Sequence, residues 1–263
     1  MRIALGIEYD GQAFSGWQTQ VGVRTVQPLV EAAVSRVADE PVTVQCAGRT
    51  DAGVHATGQV LHFDTGAERS PRAWMLGPNA HLASDVAVTW ARAVAPDFHA
   101  RFSATARRYC YVISNRAARP GLWSGRITWE PRSLDAARMA EAARFLLGEH
   151  DFTSFRAKGC QAKHPVRTVH RLDVLCQDGS IVLDVEANAF LQHMVRNLAG
   201  VLMEIGMGRR EPVWAAEVLA ARERALGGVT APASGLYLTG VSYPARFGLP
   251  VSDPSPRFPG FRS

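Results

Sequence analysis

One carboxylate, Asp51, lies in the run Cys46-Ala47-Gly48-Arg49-Thr50-Asp51-Ala52-Gly53-Val54-His55-Ala56, with Gly58 just beyond. Glycines at 48, 53 and 58 allow turns and let a ligand approach the backbone closely. A carboxylate set between an arginine and two small residues is open to whatever occupies the space beside it, and it can serve as a nucleophile or stabilise developing charge. His55 makes an acid–base pair for hydrolysis a second reading. The plainest reading is a loop aspartate that closes a turn, the usual role of Asp among glycines. The run by itself leaves all three open.

The elements that position this loop are legible as hydrophobic periods. Residues 2–9 alternate as a strand with Ile3, Leu5, Ile7 and Tyr9 on one face. A helix fits 26–39, with Val26, Leu29, Val30, Ala33, Val34 and Val37 at helical spacing, Thr25 as its expected cap and Pro28 tolerated in the first turn. Strand-like runs follow at 42–47, 58–65 and 86–94, so Asp51 falls between two strands. In the second half, 107–114 reads as a strand and 134–147 as a helix capped by Ser133 and stopped at Gly148. Strands at 166–176 and 180–187 flank an Asp178-Gly179 hairpin turn. Helices over 189–206 and 212–225 and a strand at 236–242 complete the pattern. A strand-helix-strand-strand order used twice predicts two α+β lobes with largely antiparallel sheets. The expected divisions are an N-terminal lobe over 1–104, a C-terminal lobe over 105–245 and an irregular proline-rich tail over 246–263.

Composition narrows the function classes. The 263 residues are 47% hydrophobic, enough for a sizeable core. There is no apolar run of the roughly 18 residues a membrane-spanning helix needs, and residues 1–10 lack the pattern of a secretory signal. A cytoplasmic protein with no membrane association is expected. Cys46, Cys110, Cys160 and Cys176 form no Cys-x-x-Cys pair, and the histidines make no zinc motif. With no glycine-rich phosphate loop either, neither a metal nor a nucleotide cofactor is expected.

The net charge of +5 is modest, but its distribution is uneven. No acidic residue occurs between Asp97 and Glu130, where Arg101, Arg107, Arg108, Arg116, Arg119 and Arg126 lie. The same holds between Asp151 and Asp173 for Arg156, Lys158, Lys163, Arg167 and Arg171. Such stretches could follow a phosphate backbone, or they could be solvated surface.

The string around Asp51 resembles the signature of the tRNA pseudouridine synthase A family. The resemblance extends through Gly6-Ile7-Glu8-Tyr9-Asp10-Gly11, Gly16-Trp17-Gln18 and Arg24-Thr25-Val26-Gln27. It continues in Asp97-Phe98-His99-Ala100-Arg101-Phe102-Ser103-Ala104, Tyr109 and Asp151-Phe152-Thr153-Ser154-Phe155-Arg156. His193-Met194-Val195-Arg196-Asn197 and Gly235-Leu236-Tyr237-Leu238 complete it. These blocks run in family order from about residue 2 to about residue 245. Gln12 departs from the pattern, where Ser or Thr is expected.

The resemblance implies the pseudouridine synthase fold: two similar lobes forming a central cleft. It implies an isomerase that converts uridine to pseudouridine at positions 38, 39 and 40 in the anticodon stem-loop of tRNA. No cofactor or metal is required, because no group is lost and no redox change occurs. Asp51 is implied as the nucleophile, with addition at uracil C6, attack at ribose C1′ and proton removal at C2′ all open. Arg196 resembles the family's basic partner for that carboxylate, and Tyr109 its active-site tyrosine, which would stack on the uracil. Tyr111, two residues on, is the expected packing residue. Arg49 is expected to orient RNA or the loop, Leu236 to line the uracil pocket, and Arg24 and Arg156 to hold phosphates. His55 is expected to be a loop hydrogen-bonding residue. The family acts as a homodimer on tRNA. The rival readings are a non-catalytic RNA-binding protein, a hydrolase using Asp51 and His55, and a sister synthase acting on another RNA.

Overall fold

The computed structural model describes residues 1–177 and 179–250, and the chain divides into two compact units. Among the described residues, the first comprises Met1–Ala106 and 237–250; the second is Arg107–Leu236. The fold is α+β, and the strand pairs are mostly antiparallel.

The first unit contains β1 (Arg2–Tyr9), α1 (Val26–Ala38), β2 (Gln45–Cys46), β3 (His55–Asp64), α2 (Pro71–Asn79) and β4 (Val86–Val94). β1 lies between β4 and β3, antiparallel to both, with Leu5 opposite Leu61 and Ala91. The expected strand 42–47 shrinks to β2 because Val42 N–H donates to Ser35 Oγ and Val44 N–H to Glu31 Oε1, both on α1. α1 ends where Asp39 turns left-handed at φ 60°. Thr25 stands at its N-terminus without capping it, and its buried hydroxyl has no hydrogen-bond partner. The helix α2 was not expected from periodicity. Ser70 caps it, Pro71 opens it, and its buried Trp74 packs edge-on against Phe63 with ring centroids 5.3 Å apart.

The second unit runs β5 (Ala106–Asn115), β6 (Thr128–Glu130), α3 (Ala136–Arg144), β7 (Gly148–Asp151), β8 (Val166–Gln177), β9 (Ser180–Ala187), α4 (Met194–Gly206) and α5 (Trp214–Ala221). Its strand order is β5-β9-β8-β7, with β6 parallel to β5. α3 packs on β8 and α4. Asp135, not Ser133, caps α3, accepting from Ala137 N–H at 2.9 Å and Arg138 N–H at 3.1 Å. The helix stops at Arg144, and Gly148 opens β7. Gln177 pairs with Ser180 across a tight connection in which Gly179 has φ +74°; Asp178 lies outside the described residues. α4 begins at Met194, not 189, because His193 adopts a left-handed φ of 62°.

The last strand, β10 (Leu236–Ser242), pairs parallel to β3, with Tyr237 opposite His55. After it, a 3-10 turn at Ala245–Phe247 buries Phe247 in a cluster with Ala4, Ala47, Val60, Phe98 and Ala100. The expected tail therefore begins with packed chain, and its remainder from 251 lies outside the described residues.

Candidate active site

Asp51 is half-buried in the loop between β2 and β3. The backbone around it is fixed from several sides. Thr50 O accepts from Trp17 N–H at 3.1 Å, and Thr50 Oγ1 shares a buried 2.7 Å hydrogen bond with Tyr9 Oη. Val54 N–H closes a turn onto Asp51 O at 3.1 Å, while Gly53 N–H donates to Phe14 O at 3.1 Å. Gln59, fully buried on β3, donates to Gly48 O at 2.6 Å.

Two glycines of the facing loop permit this close packing. At Gly16, φ is +95° and a Cβ would stand 2.7 Å from Thr50 O; at Gly11 a Cβ would stand 2.0 Å from Val54 O. The result is a carboxylate on a loop with little backbone freedom, the pre-organisation that a reacting group needs.

His55 belongs to the same brace. It is 1% exposed, accepts from Gly11 N–H through Nδ1 at 2.9 Å, and lies 3.1 Å from Asp10 Oδ1. Its ring stacks on Tyr237 at 4.6 Å and 16°. A ring enclosed in this way is a structural brace, which argues against the hydrolase reading that needs it as a proton donor. Gln59 and Tyr237 as braces were missed from sequence. Tyr237 lies in a matched block, but nothing in Gly58-Gln59-Val60 marks Gln59 except a polar residue at a strand position.

Arg49 is exposed two residues before Asp51. Desolvation pushes the half-buried Cys46 thiol up to about 12, and the charges of Arg49 and Arg101 pull against that rise. Arg24 is engaged elsewhere: it makes a two-pronged ion pair with Asp85 at 2.6 and 3.0 Å, and its guanidinium lies 4.1 Å over the Phe14 ring.

In the second unit, Tyr109 is buried on β5 opposite Val185 and meets Phe190 edge-on at 5.0 Å and 83°. Tyr111 is fully buried, and its hydroxyl bonds Thr128 Oγ1 at 2.6 Å and Pro232 O at 2.9 Å, as expected of the packing residue. Arg196, half-buried in the first turn of α4, donates through Nε to Ala231 O at 2.8 Å. Ala231 N–H returns a bond to Arg196 O at 3.1 Å, which fixes the side chain's root. Leu236 is buried at the start of β10.

Several cations of the acid-free stretches hold the fold together. Arg156 donates to Cys160 O and Ala162 O at 2.6 and 2.7 Å. Arg167 donates to His164 O and Val166 O at 2.9 and 2.6 Å. Arg108 pairs with the buried Asp184. Arg116, Arg119, Arg126, Lys158 and Lys163 are exposed.

Comparison with known proteins gives the chemistry a context. A family model described as tRNA pseudouridine synthase matches residues 6–103 and 142–244, which include Asp51, Arg196 and Leu236, while Tyr109 falls between the two matched segments. A Nitrosococcus oceani protein named tRNA pseudouridine synthase A is 61% identical over 250 residues, covering 95% of this chain and 96% of that protein. A Pseudomonas aeruginosa protein of the same name is 58% identical over 258 residues, covering 98% of this chain and 90% of that one. One from Klebsiella pneumoniae is 56% identical over 257 residues, covering 98% and 95%. Agreement of this depth across both units has one reading: the chain belongs to the tRNA pseudouridine synthase family.

Proposed function

We propose that this isomerase converts uridine to pseudouridine at positions 38, 39 and 40 of tRNA anticodon stem-loops, with Asp51 as its nucleophile and no cofactor. The N1–C1′ glycosidic bond breaks, the uracil turns, a C5–C1′ bond forms, the C5 proton leaves and N1 gains a proton. Atoms and charge balance without an oxidant or a second substrate. The observation that carries the reading is the rigid, arginine-flanked Asp51 loop in a chain of this family.

In this reading Asp51 reacts with the uridine at C6 or C1′, or takes the C2′ proton; Arg196 is its basic partner and Tyr109 stacks on the uracil. Leu236 lines the base pocket, and Arg49 orients the RNA. Arg24 and Arg156 hold phosphates while keeping the protein partners that fix their side chains, Asp85 for Arg24 and the carbonyls of Cys160 and Ala162 for Arg156. Bases in an anticodon stem are stacked, so the target uridine is extruded at a cost of about a few kcal/mol. Phosphate contacts, which carry no sequence information, supply affinity for many tRNAs. The working form is a homodimer.

The test is a pseudouridine map of tRNA, by carbodiimide labelling, from cells with and without the gene. The reading predicts loss of the label at positions 38, 39 and 40 when the gene is absent. Unchanged labelling there, with loss elsewhere in RNA, would assign the chain to a different substrate.

A further inference from the structure

Phe102 is the most exposed aromatic side chain among the described residues, at 75%, yet it is held in place. His99 organises its loop. The His99 Nδ1 accepts from Arg101 N–H at 3.1 Å and Phe102 N–H at 3.3 Å. His99 N–H donates to Ser103 Oγ at 3.0 Å, and Ser103 N–H returns to His99 O at 2.9 Å. The imidazole lies against the Phe102 ring, with centroids 4.3 Å apart. Beneath it, Ala100 N–H donates to the buried His62, and Arg2 holds Pro96 O and Phe98 O at 2.6 and 2.7 Å.

A fixed, exposed ring gives up conformational freedom and gains little burial in return. That cost has a use when a partner arrives, because a ring already in its bound pose loses less entropy on binding. The surroundings indicate which partner. The Arg101 guanidinium lies 5.6 Å from the Phe102 centroid, and the chain carries no acidic residue from 98 to 129. Ala100 of this loop and Ala47, on the run that leads to Asp51, belong to one buried cluster with Phe98 and Val60, so the two loops share a neighbourhood.

We propose that Phe102, backed by His99 and flanked by Arg101, is a stacking platform for an unpaired nucleobase of the bound tRNA. This rests on the proposed tRNA reading and adds a contact to it. An aromatic face stacks on any base, and a neighbouring guanidinium suits the phosphate beside it, so the platform adds affinity without narrowing the tRNA set.

The experiment measures equilibrium binding of an unmodified tRNA transcript with uridine at position 39 to the full chain, in an Asp51→Asn background. Phe102→Ala weakens binding roughly 5- to 100-fold, Phe102→Trp stays within about threefold, and Phe102→Leu behaves like Ala. Unchanged binding by Phe102→Ala overturns the proposal, and so does full rescue by Phe102→Leu, which would mean a generic apolar contact. A Phe102→Ala chain that changes oligomeric state in sedimentation, with tRNA affinity intact, would assign the ring to a second copy and also overturn it. If the alanine variant fails to fold, the Leu and Trp pair decides alone. Pseudouridine formation by the unaltered chain is scored separately, so failure of the tRNA reading and failure of the platform give different results.

Discussion

Buried at 1% exposure, His55 gives Nδ1 to the Gly11 N–H and a ring face to Tyr237, so it serves the loop that carries Asp51. Replacing it with alanine removes a buried ring and orphans a buried donor. A loss of about 2–4 kcal/mol in stability is expected from urea unfolding. The pH–rate profile of the folded fraction keeps its shape, whereas loss of one limb would make His55 a proton donor after all. At this scale the sequence is informative about Asp51 because the residues flanking it are specific. It says less about cations. The partners that fix Arg24 and Arg156 were not legible, because no period or motif marks Asp85 or the carbonyls of Cys160 and Ala162 as their neighbours.

Elements decide how firmly Asp51 is aimed. Gly16→Ala would strain a φ of +95° and press a Cβ to within 2.7 Å of Thr50 O, one residue from the carboxylate. We expect kcat to fall by roughly 10- to 100-fold with tRNA affinity little changed; normal kcat would show that the loop tolerates displacement. On the face shared by β5, β9 and β8, buried Asp184 receives Arg108, and Arg171 at 3.3 Å. Asp184→Ala leaves these cations unbalanced and should cost about 3 kcal/mol in chemical denaturation; a loss under about 1 kcal/mol would mean that solvent replaces the carboxylate. β1, β4 and β10 were legible because alternation or apolar runs mark them directly. α2 was not, since Gly77-Pro78 interrupts the period and its stability comes from Trp74 against Phe63. The start of α4 depends on one backbone angle at His193, which no period reports.

At the scale of the whole molecule, stability carries a pH signature from His62. Burial first, then the charges of His99 and Arg2, push its folded-state value down to about 4 from 6.5. His99 is also lowered, chiefly by desolvation. The unfolded chain therefore takes up a proton that the folded chain refuses, so stability is fully present above about pH 6.5 and is lost as pH falls toward about 4. The loss attributable to His62 is at most about 3 kcal/mol, and the slope should shrink in His62→Gln; an equal slope in that variant would contradict the assignment. No helix among the described residues is long and apolar enough to cross a membrane. The return of the chain at Tyr237 to the unit of Met1–Ala106 was hidden from a linear reading, because strand periodicity gives no address for the partner strand. Tritium release from C5-labelled uridine in tRNA tests the chemistry of Asp51 most directly. Asp51→Ala is predicted to bind tRNA with near-normal affinity and release no tritium above background. Release at the unaltered rate by a folded, tRNA-binding Asp51→Ala chain would contradict the account.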